Sequence, residues 1–400
     1  MERYDAIIVG AGPAGSMTAG LLARAGARVA LLDKTAFPRD KACGEYTSPQ
    51  TATLLERCGA LAFVERARPR RLPEMRVYAP SGAVFCMDYA AAGGGCVLAT
   101  PRLRLDAALV EYAVAAGADL RERARVVDVI RDSGQAVGVR TRQGAGAEME
   151  IRAPLVVGAD GTHSVVARAL GLVRPLRWPR SLGMVAHYEG LRGCDAWGEM
   201  HVASHGYCGL APLTDGQVNV GIVVDLPERG AERLPAEARF EAALRGFPTL
   251  AESVAGAHRV SEVRGVGPVG VSASRACGPG FLLVGDAAGF FDPFTGEGVY
   301  KALRGAELAV PVMLAALERG DFSARALAPY GAARRREFLA KDLVCRLVQG
   351  FVQMRGGMDY VAPRLAARPG RLAVMSGVLG DFTDARAALT PGYLWGLLRP

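Results

Sequence analysis

A glycine-rich turn between an apolar run and a helical segment places the strongest constraint on how this chain folds. The run Ala6–Val9 is short, continuous and apolar, which is typical of a strand buried on both faces of a parallel sheet. The turn that follows it reads Gly10-Ala11-Gly12-Pro13-Ala14-Gly15. A helical segment over 16–25 and a second apolar run ending at Asp33 come next. Strand, turn, helix and strand within about 30 residues predict a Rossmann-type βαβ unit.

The residue types of this turn predict a bound dinucleotide. Gly10 permits the sharp turn, Gly12 lets the backbone approach a pyrophosphate, and Gly15 allows close contact between helix and strand. The helix N-terminus presents unpaired N–H groups and the positive end of the helix dipole to phosphates. Asp33 stands about 20 residues further on, where a carboxylate accepts hydrogen bonds from ribose hydroxyls.

The remaining pattern predicts an α/β fold in which a second sheet is inserted into the first. Four closely spaced strand-like runs at 183–188, 198–203, 206–213 and 217–225 predict an antiparallel sheet. Residues 40–100 are predicted to be irregular, and helix is predicted over 102–116, 235–256 and from 297 onward. Breaks in the last helical region are predicted at Pro311, Pro329, Pro363 and Pro391.

The predicted domain organisation follows these elements. It comprises a Rossmann-type nucleotide domain, a parallel sheet with helices (1–75, 97–175 and 260–320), an inserted antiparallel-sheet substrate domain (76–96 and 176–259) and a helical C-terminal region (321–400).

Charge and composition argue against several classes of protein. The formal charge of +8 comes almost wholly from scattered arginines, without the basic and aromatic pattern of a nucleic-acid groove. The eight cysteines form no C-x-x-C pair, so free thiols in a reducing cytoplasm are expected. We see no signal peptide and no apolar run of the roughly 18–20 residues that span a bilayer. A cytoplasmic protein that does not bind nucleic acid is therefore predicted.

One pattern leaves a weak peripheral membrane contact open. Residues 306–317 are apolar and Arg334-Arg335-Arg336 follows, a combination that suits an anionic lipid surface. A buried helix followed by a solvated charged run explains the same pattern, and it is the preferred interpretation.

Two further strand-like runs end in an aspartate flanked by small residues. Asp160 and Gly161 follow one of these runs, and Gly285 and Asp286 follow the other. Taken singly, an Asp–Gly pair is an ordinary turn. Because doubly wound sheets bind ligands at the carboxyl ends of their strands, three such strand ends together predict one extended ligand.

The order and spacing of the three motifs resemble the FAD-binding fold of the para-hydroxybenzoate hydroxylase superfamily over nearly the whole chain. In that group the Asp–Gly motif supports the cofactor, and the Asp of the Gly–Asp motif, here Asp286, binds the ribityl chain. Arg102-x-x-Leu105-Asp106 resembles the segment whose arginine lies near the flavin. The resemblance implies noncovalently held FAD that NAD(P)H or another electron donor reduces in place, since no second dinucleotide fingerprint is present.

Within this superfamily the chain is most similar to the geranylgeranyl reductase group. Gly289 stands where aromatic hydroxylases have histidine, and 292–298 reads Asp-Pro-Phe-Thr-Gly-Glu-Gly. The segment 41–49, Lys-Ala-Cys-Gly-Glu-Tyr-Thr-Ser-Pro, resembles the Cys-Gly segment by which that group passes the flavin ring. There are two departures: Glu45-Tyr46 replaces small residues, and the group's tyrosine–tryptophan–phenylalanine–proline signature is missing.

The resemblance implies an enzyme that reduces or dehydrogenates an apolar molecule, such as an isoprenoid or polyketide, at the flavin. The shared fold equally allows a flavin-hydroperoxide monooxygenase, and a non-catalytic FAD-binding protein is the alternative outside enzymes. Neither the tryptophan-rich signature nor the substrate lysine of flavin halogenases is visible, which argues against halogenation. The sequence does not predict the oligomeric state.

Individual site residues follow from the motifs and from the resemblance. The predicted cofactor-binding residues are Gly10, Gly12, Pro13, Ala14, Gly15, Asp33, Lys34, Cys43, Gly44, Arg102, Asp160, Gly161, Gly285, Asp286, Pro293, Gly296 and Gly298. Cys43 is a candidate acid or a residue that tunes the flavin, with a small buried thiol as the alternative. Glu45 and Tyr46 are candidate proton donors. His201 and His205 stand four apart in a strand context without a third ligand, so no metal site is predicted.

Overall fold

The computed structural model describes residues 3–144, 146–176, 178, 181–226 and 234–399. Its strands are β1 Ala6–Val9, β2 Val29–Leu32, β3 Arg70–Leu72, β4 Glu74–Tyr78, β5 Val84–Asp88, β6 Val97–Ala99, β7 Asp119–Arg121, β8 Ala124–Asp132, β9 Gln135–Gln143, β10 Glu148–Arg152, β11 Leu155–Gly158, β12 Val173–Pro175, β13 Ser181–Glu189, β14 Gly198–Ala203, β15 Gly206–Pro212, β16 Val218–Asp225, β17 His258–Arg259, β18 Arg264–Val269, β19 Val271–Ala273, β20 Cys277–Gly278, β21 Phe281–Leu283 and β22 Gly289–Phe290. Its helices are α1 Pro13–Arg24, α2 Gln50–Arg57, α3 Leu61–Arg66, α4 Arg102–Ala115, α5 Val165–Ala169, α6 Ala236–Arg245, α7 Ala251–Val254, α8 Gly298–Arg319, α9 Ala324–Gln353, α10 Gly357–Ala366, α11 Pro369–Leu379 and α12 Pro391–Leu398.

A six-stranded sheet carries the three sequence motifs. Its strand order is β20-β21-β11-β1-β2-β7, and all neighbours are parallel except β20 and β21. The central strand is β1, with Ile7 opposite Val156 of β11 on one side and Ala30 of β2 on the other. Since neighbouring parallel strands need a crossover, α1 connects β1 to β2 across the sheet. The predicted α/β fold with its Rossmann-type unit is confirmed.

Both faces of this sheet are covered, which explains why its strands are continuous apolar runs. Ala6 and Ile8 pack with residues of α1, α4 and α8 on one face. Ile7 and Val9 pack on the other face against the hairpin β8–β9 and α5. A strand that alternates between two buried faces has no solvent side, so every position favours an apolar residue.

The predicted antiparallel sheet is present and is larger than the sequence indicates. Its order is β17-β13-β16-β15-β14-β4-β5, and β18 also pairs with β13. The strands β4 and β5 lie in the region 40–100, so the prediction of irregular structure there is wrong. It fails because β4 pairs in parallel with β14, which is distant in sequence. The domain bounds stay a prediction, but β18, assigned above to the nucleotide domain, pairs with this second sheet.

Helices occupy most of the chain after residue 297, as predicted, but several breaks lie elsewhere. Pro311, Pro329 and Pro363 lie inside α8, α9 and α10, so the prediction that they end helices is wrong. A proline removes one backbone hydrogen bond and can kink a helix without ending it. All three prolines are exposed, and buried residues before and after each of them hold the helix against the core. Helix α8 ends instead at Gly320, which is left-handed with φ +64°. Pro391 does mark a boundary, because it opens α12.

The apolar run 306–317 is part of α8 and faces the core. Ala309, Val310 and Met313 are buried with residues of α1 and the parallel sheet. The preferred interpretation of this run as a buried helix is therefore confirmed. Across the described ranges, no helix combines the length and the apolarity that crossing a bilayer requires.

Candidate active site

The carboxyl ends of β1, β2, β11 and β21 meet at one cavity of about 750 Å³. Gly12, Asp33, Asp160 and Asp286 all line this cavity, so the three motifs converge as predicted. The other predicted site residues that line it are Gly10, Pro13, Ala14, Lys34, Cys43, Gly44, Tyr46, Arg102, Gly161, Gly285, Pro293, Gly296 and Gly298. Gly15 and Glu45 are not among the lining residues; both lie behind them.

The three glycines of the first motif meet different physical demands. A Cβ on Gly10, whose φ is +95°, would lie 2.7 Å from the carbonyl oxygen of Ala159. A Cβ on Gly15 would lie 1.8 Å from the carbonyl oxygen of Gly10. A Cβ on Gly12 would meet only Arg39 Nη2, at 3.6 Å, and would otherwise enter the cavity. Packing therefore requires glycine at positions 10 and 15, whereas Gly12 leaves room for a ligand.

The N-terminus of α1 is open toward the same cavity. Its N-cap is Gly12, which supplies no side chain to the free N–H groups, and no acidic residue lies in the first turn. The first helical residue is Pro13, which has no N–H to satisfy. The unpaired N–H groups that follow and the helix dipole suit a pyrophosphate, so this end of the cavity fits the predicted dinucleotide.

The carboxylate of Asp33 is fixed at the end of β2. It accepts hydrogen bonds from Ala11 N at 2.9 Å, Thr35 N at 2.9 Å and Thr35 Oγ1 at 2.7 Å. Arg39 Nη2 lies 3.8 Å away. Asp33 thus ties the glycine turn to the second strand in addition to facing the predicted ribose position.

The two later aspartates have different surroundings. Asp160 accepts from Ser164 Oγ at 2.5 Å and from Val165 N at 2.6 Å, so it holds the start of α5, and burial raises its pKa. Asp286 lines the cavity, and its carboxylate has no hydrogen bond or ion pair to the described part of the chain. Asp286 is therefore free to bind a ligand, whereas the carboxylate of Asp160 is occupied by the protein.

A buried ion cluster lies beside the cavity. Arg102 donates two hydrogen bonds of 2.8 Å to Asp106, and Arg39 donates one of 2.8 Å to the same carboxylate. Burial alone would lower the pKa of Arg102, but the attraction of Asp106 and of the neighbouring Cys43 sulfur outweighs it and raises that pKa. Arg102 is therefore a permanent positive charge next to the Cys43 thiol.

The segment around Cys43 is held from behind by a polar network. Glu45 adopts a left-handed conformation with φ +55° and donates its N–H to Cys43 Sγ at 3.3 Å. Its carboxylate accepts from Arg102 N at 2.8 Å and from Asn219 Nδ2 at 3.1 Å, and it contacts His187 Nε2 at 2.7 Å. Asn219 Nδ2 also donates to Cys43 O at 3.1 Å. Glu45 is thus committed to protein partners, which favours a positioning role over its predicted role as proton donor.

Tyr46 reaches the cavity from the same segment. Its hydroxyl lies 3.4 Å from Tyr89 Oη, and its ring faces Gly296, where an added Cβ would lie 3.4 Å from Tyr46 Cδ1. Burial, with Tyr89 nearby, raises the pKa of Tyr46 well above its usual value. The hydroxyl therefore stays protonated at neutral pH, with its proton directed to Tyr89 Oη.

A second buried acid lies near the turn before α8. Asp292 Oδ1 accepts from Tyr207 Oη at 2.6 Å and from Phe294 N at 2.9 Å, while Asp292 Oδ2 is buried without a partner. Burial raises the pKa of Asp292 to about 6 despite these hydrogen bonds. Tyr207 and Phe294 line the cavity, so this carboxyl lies directly behind its lining.

Beyond Tyr46 and Gly296 the cavity continues as an apolar chamber between the antiparallel sheet and helices α9–α12. Representative lining residues are Met75, Phe85, Met200, Val361, Met375 and Leu397. They come from β4, β5, β14, α10, α11 and α12, elements that are far apart in sequence. We refer to this part of the cavity as the substrate chamber.

Sequence reasoning missed several residues that the structure brings to the site. Lys41 lines the cavity, and burial followed by the nearby Arg102 lowers its pKa. His187 contacts Glu45, and that hydrogen bond raises the pKa of the imidazole against the opposing effect of burial. Lys41 opens the 41–49 segment that resembles the reductase group and is one of only four lysines, a signal that could have found it. Nothing in the sequence pairs His187 with Glu45, because only the folding of β13 brings them together.

Comparison with known proteins agrees with this geometry. The family model described as FAD binding domain matches residues 3–346. This chain belongs to that family. It is therefore an FAD-dependent oxidoreductase, and the fit of Gly12 and the α1 N-terminus to a pyrophosphate gives the physical basis for the cofactor.

Individual relatives indicate which group within the family the chain resembles. The chain is 34% identical over 349 residues to digeranylgeranylglycerophospholipid reductase 2 of Methanopyrus kandleri, covering 84% of this chain and 83% of that protein. It is 28% identical to the menaquinone reductase of Mycolicibacterium smegmatis, covering 78% and 76%. Among solved structures, a myxobacterial chondrochloren halogenase superposes with a TM-score of 0.79 at 27% identity, covering 88% and 83%. The predicted likeness to the geranylgeranyl reductase group is confirmed.

Proposed function

We propose that this enzyme reduces carbon–carbon double bonds in the prenyl chain of a lipid or quinone. The observation that carries the proposal is the substrate chamber, which is continuous with the part of the cavity lined by Gly10, Gly12 and Asp286. Apolar side chains from both the antiparallel sheet and the C-terminal helices line the chamber. A long, flexible apolar chain gains from burial in such a chamber roughly in proportion to the area removed from water.

The names of the relatives support this substrate class. One relative is named as a reductase of a digeranylgeranylglycerophospholipid, a lipid with long apolar prenyl chains. Another is named as a menaquinone reductase, and its substrate also carries a long apolar chain. The apolar substrate predicted from the sequence is consistent with both. We propose a prenyl chain rather than a polyketide for this reason.

We propose the following roles for the residues of the site. Gly12, the N-terminus of α1 and Asp286 hold FAD, and Asp33 and Arg102 fix the segments that surround it. FAD supplies the hydride for the reduction when it is bound and reduced. NAD(P)H or another donor delivers the electrons at the same site. No step of this assignment uses a metal ion.

The reduction of a double bond also requires a proton at the neighbouring carbon. We assign this role to Tyr46, because its side chain lines the cavity beside Gly296 and its hydroxyl carries a proton at neutral pH. Glu45 is a positioning residue, because its hydrogen bonds hold the turn that directs Cys43 and Tyr46 into the cavity. His187 completes that support through its contact with Glu45. All eight cysteines are free, which fits the reducing cytoplasm that we propose as the location.

The test is anaerobic turnover of the holoenzyme. Chemically reduced protein is mixed with a short prenyl alcohol or a prenylated quinone, and the product is analysed by mass spectrometry. The proposal predicts a gain of one H₂ per reduced double bond without oxygen, and a lower rate for Tyr46→Phe at full FAD content. A product that gains an oxygen atom, and only in air, would instead establish the monooxygenase. Substrate binding without any turnover would leave the non-catalytic alternative.

A further inference from the structure

Helix α9 exposes an apolar stripe on the side that faces away from the core. Leu339, Leu343 and Leu347 are four residues apart, so they lie one turn above another, and Met354 continues the stripe past the helix end. These four side chains are between 44% and 59% exposed. Single exposed leucines are common on protein surfaces, but a contiguous apolar patch marks an interaction surface.

The stripe is bordered by exposed arginines that lack acidic partners. Arg336, Arg346 and Arg355 have no carboxylate within salt-bridge distance among the residues that the structure describes. Between residues 331 and 358 the acidic residues are Glu337 and Asp342, and both turn inward to pair with basic side chains of α8. The outward side of α9 is therefore apolar and cationic, and we call it the α9 face.

An exposed tryptophan adjoins the α9 face. Trp178 donates its indole N–H to Gln353 of α9, and its ring lies 5.7 Å from that of Phe291. The guanidinium of Arg346 lies 5.4 Å from the same phenylalanine ring. Tryptophan is the side chain that favours the boundary between a bilayer and water, because its ring is apolar and its N–H is polar.

The α9 face is also continuous with the substrate chamber. Leu347 is half exposed and at the same time lines the cavity, as do Val344, Val348 and Phe351 on the adjoining side of the helix. The chamber therefore comes to the surface at the edge of the stripe. An apolar chain that leaves a lipid phase at this point could enter the chamber without crossing water.

We propose that the α9 face docks on the surface of an anionic lipid bilayer. Apolar side chains flanked by arginines that lack carboxylate partners match an apolar interior beneath negatively charged headgroups. A second copy of this chain fits less well, because a twofold contact through this face would bring the arginines of both copies together without counter-charges. The proposal rests on the proposed function only for what enters the chamber; the docking itself does not depend on it.

The test uses the full FAD-loaded chain and vesicles that contain no prenyl substrate. Flotation is compared on vesicles of phosphatidylcholine alone and of phosphatidylcholine mixed with phosphatidylglycerol. We expect binding to the anionic vesicles that weakens as salt is raised. Leu343→Glu should weaken it at least about tenfold, and each of R336Q, R346Q and R355Q by about fivefold. The matched control is Met149→Glu, which places the same charge on an apolar side chain that is 50% exposed on β10, and should bind like the parent.

Three results would overturn the proposal. They are equal flotation on both kinds of vesicle, an equal loss of binding in the Met149→Glu control, and a dimer in light scattering that Leu343→Glu dissociates, which would make the α9 face an interface between copies. Failure of the proposed function is distinguishable from failure of docking. If only the proposed function were wrong, vesicle binding would respond to the variants as expected. The same protein would then leave prenyl substrates dispersed in detergent unreduced.

Discussion

Two glycines of the first motif, Gly12 and Gly15, should respond to substitution in opposite ways. A Cβ on Gly15 would lie 1.8 Å from Gly10 O, far inside normal contact distance, so Gly15→Ala must displace backbone. Overpacking of this kind costs about 1–3 kcal/mol of unfolding free energy. At Gly12, φ is −75° and ψ is −172°, a conformation that any residue adopts, and the space beside it is open. Gly12→Val should therefore change the stability of the apoprotein by less than about 1 kcal/mol.

The effect on the cofactor should be the reverse. A valine at position 12 would place its side chain where we propose that the pyrophosphate approaches the α1 N-terminus. Losing one charge-assisted hydrogen bond there costs about 1.5–3 kcal/mol, which corresponds to a roughly tenfold to hundredfold loss of FAD affinity. Gly15→Ala should weaken FAD mainly by destabilising the fold.

The assay combines two measurements on each apoprotein. Urea unfolding followed by tryptophan fluorescence gives the stability, and titration with FAD followed by quenching of flavin fluorescence gives the affinity. If Gly12→Val bound FAD as tightly as the parent, Gly12 would not lie where the pyrophosphate binds. If Gly12→Val destabilised the apoprotein as much as Gly15→Ala does, Gly12 would serve packing rather than cofactor binding.

Three further predictions use the same protein. Asp286→Ala should weaken FAD binding about tenfold, measured by FAD titration, and leave the midpoint of thermal unfolding unchanged. Asp160→Ala should lower that midpoint, because the Asp160 carboxylate holds the start of α5. If Asp160→Ala weakened FAD more and Asp286→Ala lowered the midpoint more, the two roles would be reversed. Cys43→Ser should retain stoichiometric FAD but alter the rate at saturating substrate or the flavin potential, and equal values for variant and parent would make Cys43 a packing residue only. Burial raises the pKa of Asp292 from 3.8 to about 6, so the folded state binds this proton more tightly than the unfolded state does. The free energy of unfolding should therefore fall as the pH rises from about 4 to 6, and it should stay at the lower value above pH 6. Asp292→Asn keeps an acceptor for Tyr207 and should remove that fall, giving up to about 3 kcal/mol more stability at pH 8 in denaturant unfolding; an unchanged pH profile would show that Asp292 does not ionise in this range.

The sequence by itself determined the nucleotide-binding half of this protein. A strand buried on both faces, a turn that needs glycine and an open helix N-terminus are local features, so about 30 consecutive residues specify them. The parallel arrangement then brings Asp160 and Asp286 to the same edge of the sheet, because parallel strands place their carboxyl ends together. The glycine turn, the two later aspartates and the parallel order of their strands are therefore sufficient to predict the cofactor.

Only the tertiary structure decided the substrate side and the roles within the Cys43 segment. The substrate chamber is formed by short stretches of β4, β5, β14 and α9–α12, each of which reads as ordinary core in sequence. Glu45 resembles an exposed loop acid until β13 and β16 bring His187 and Asn219 against it. In the same way, the exposure of Leu339, Leu343 and Leu347 on α9 follows only from the packing of α8 and α10 against the other sides of that helix. Local periodicity fixes which residues share one side of an element, but the partner that covers that side comes from remote parts of the chain, so it appears only in the folded protein.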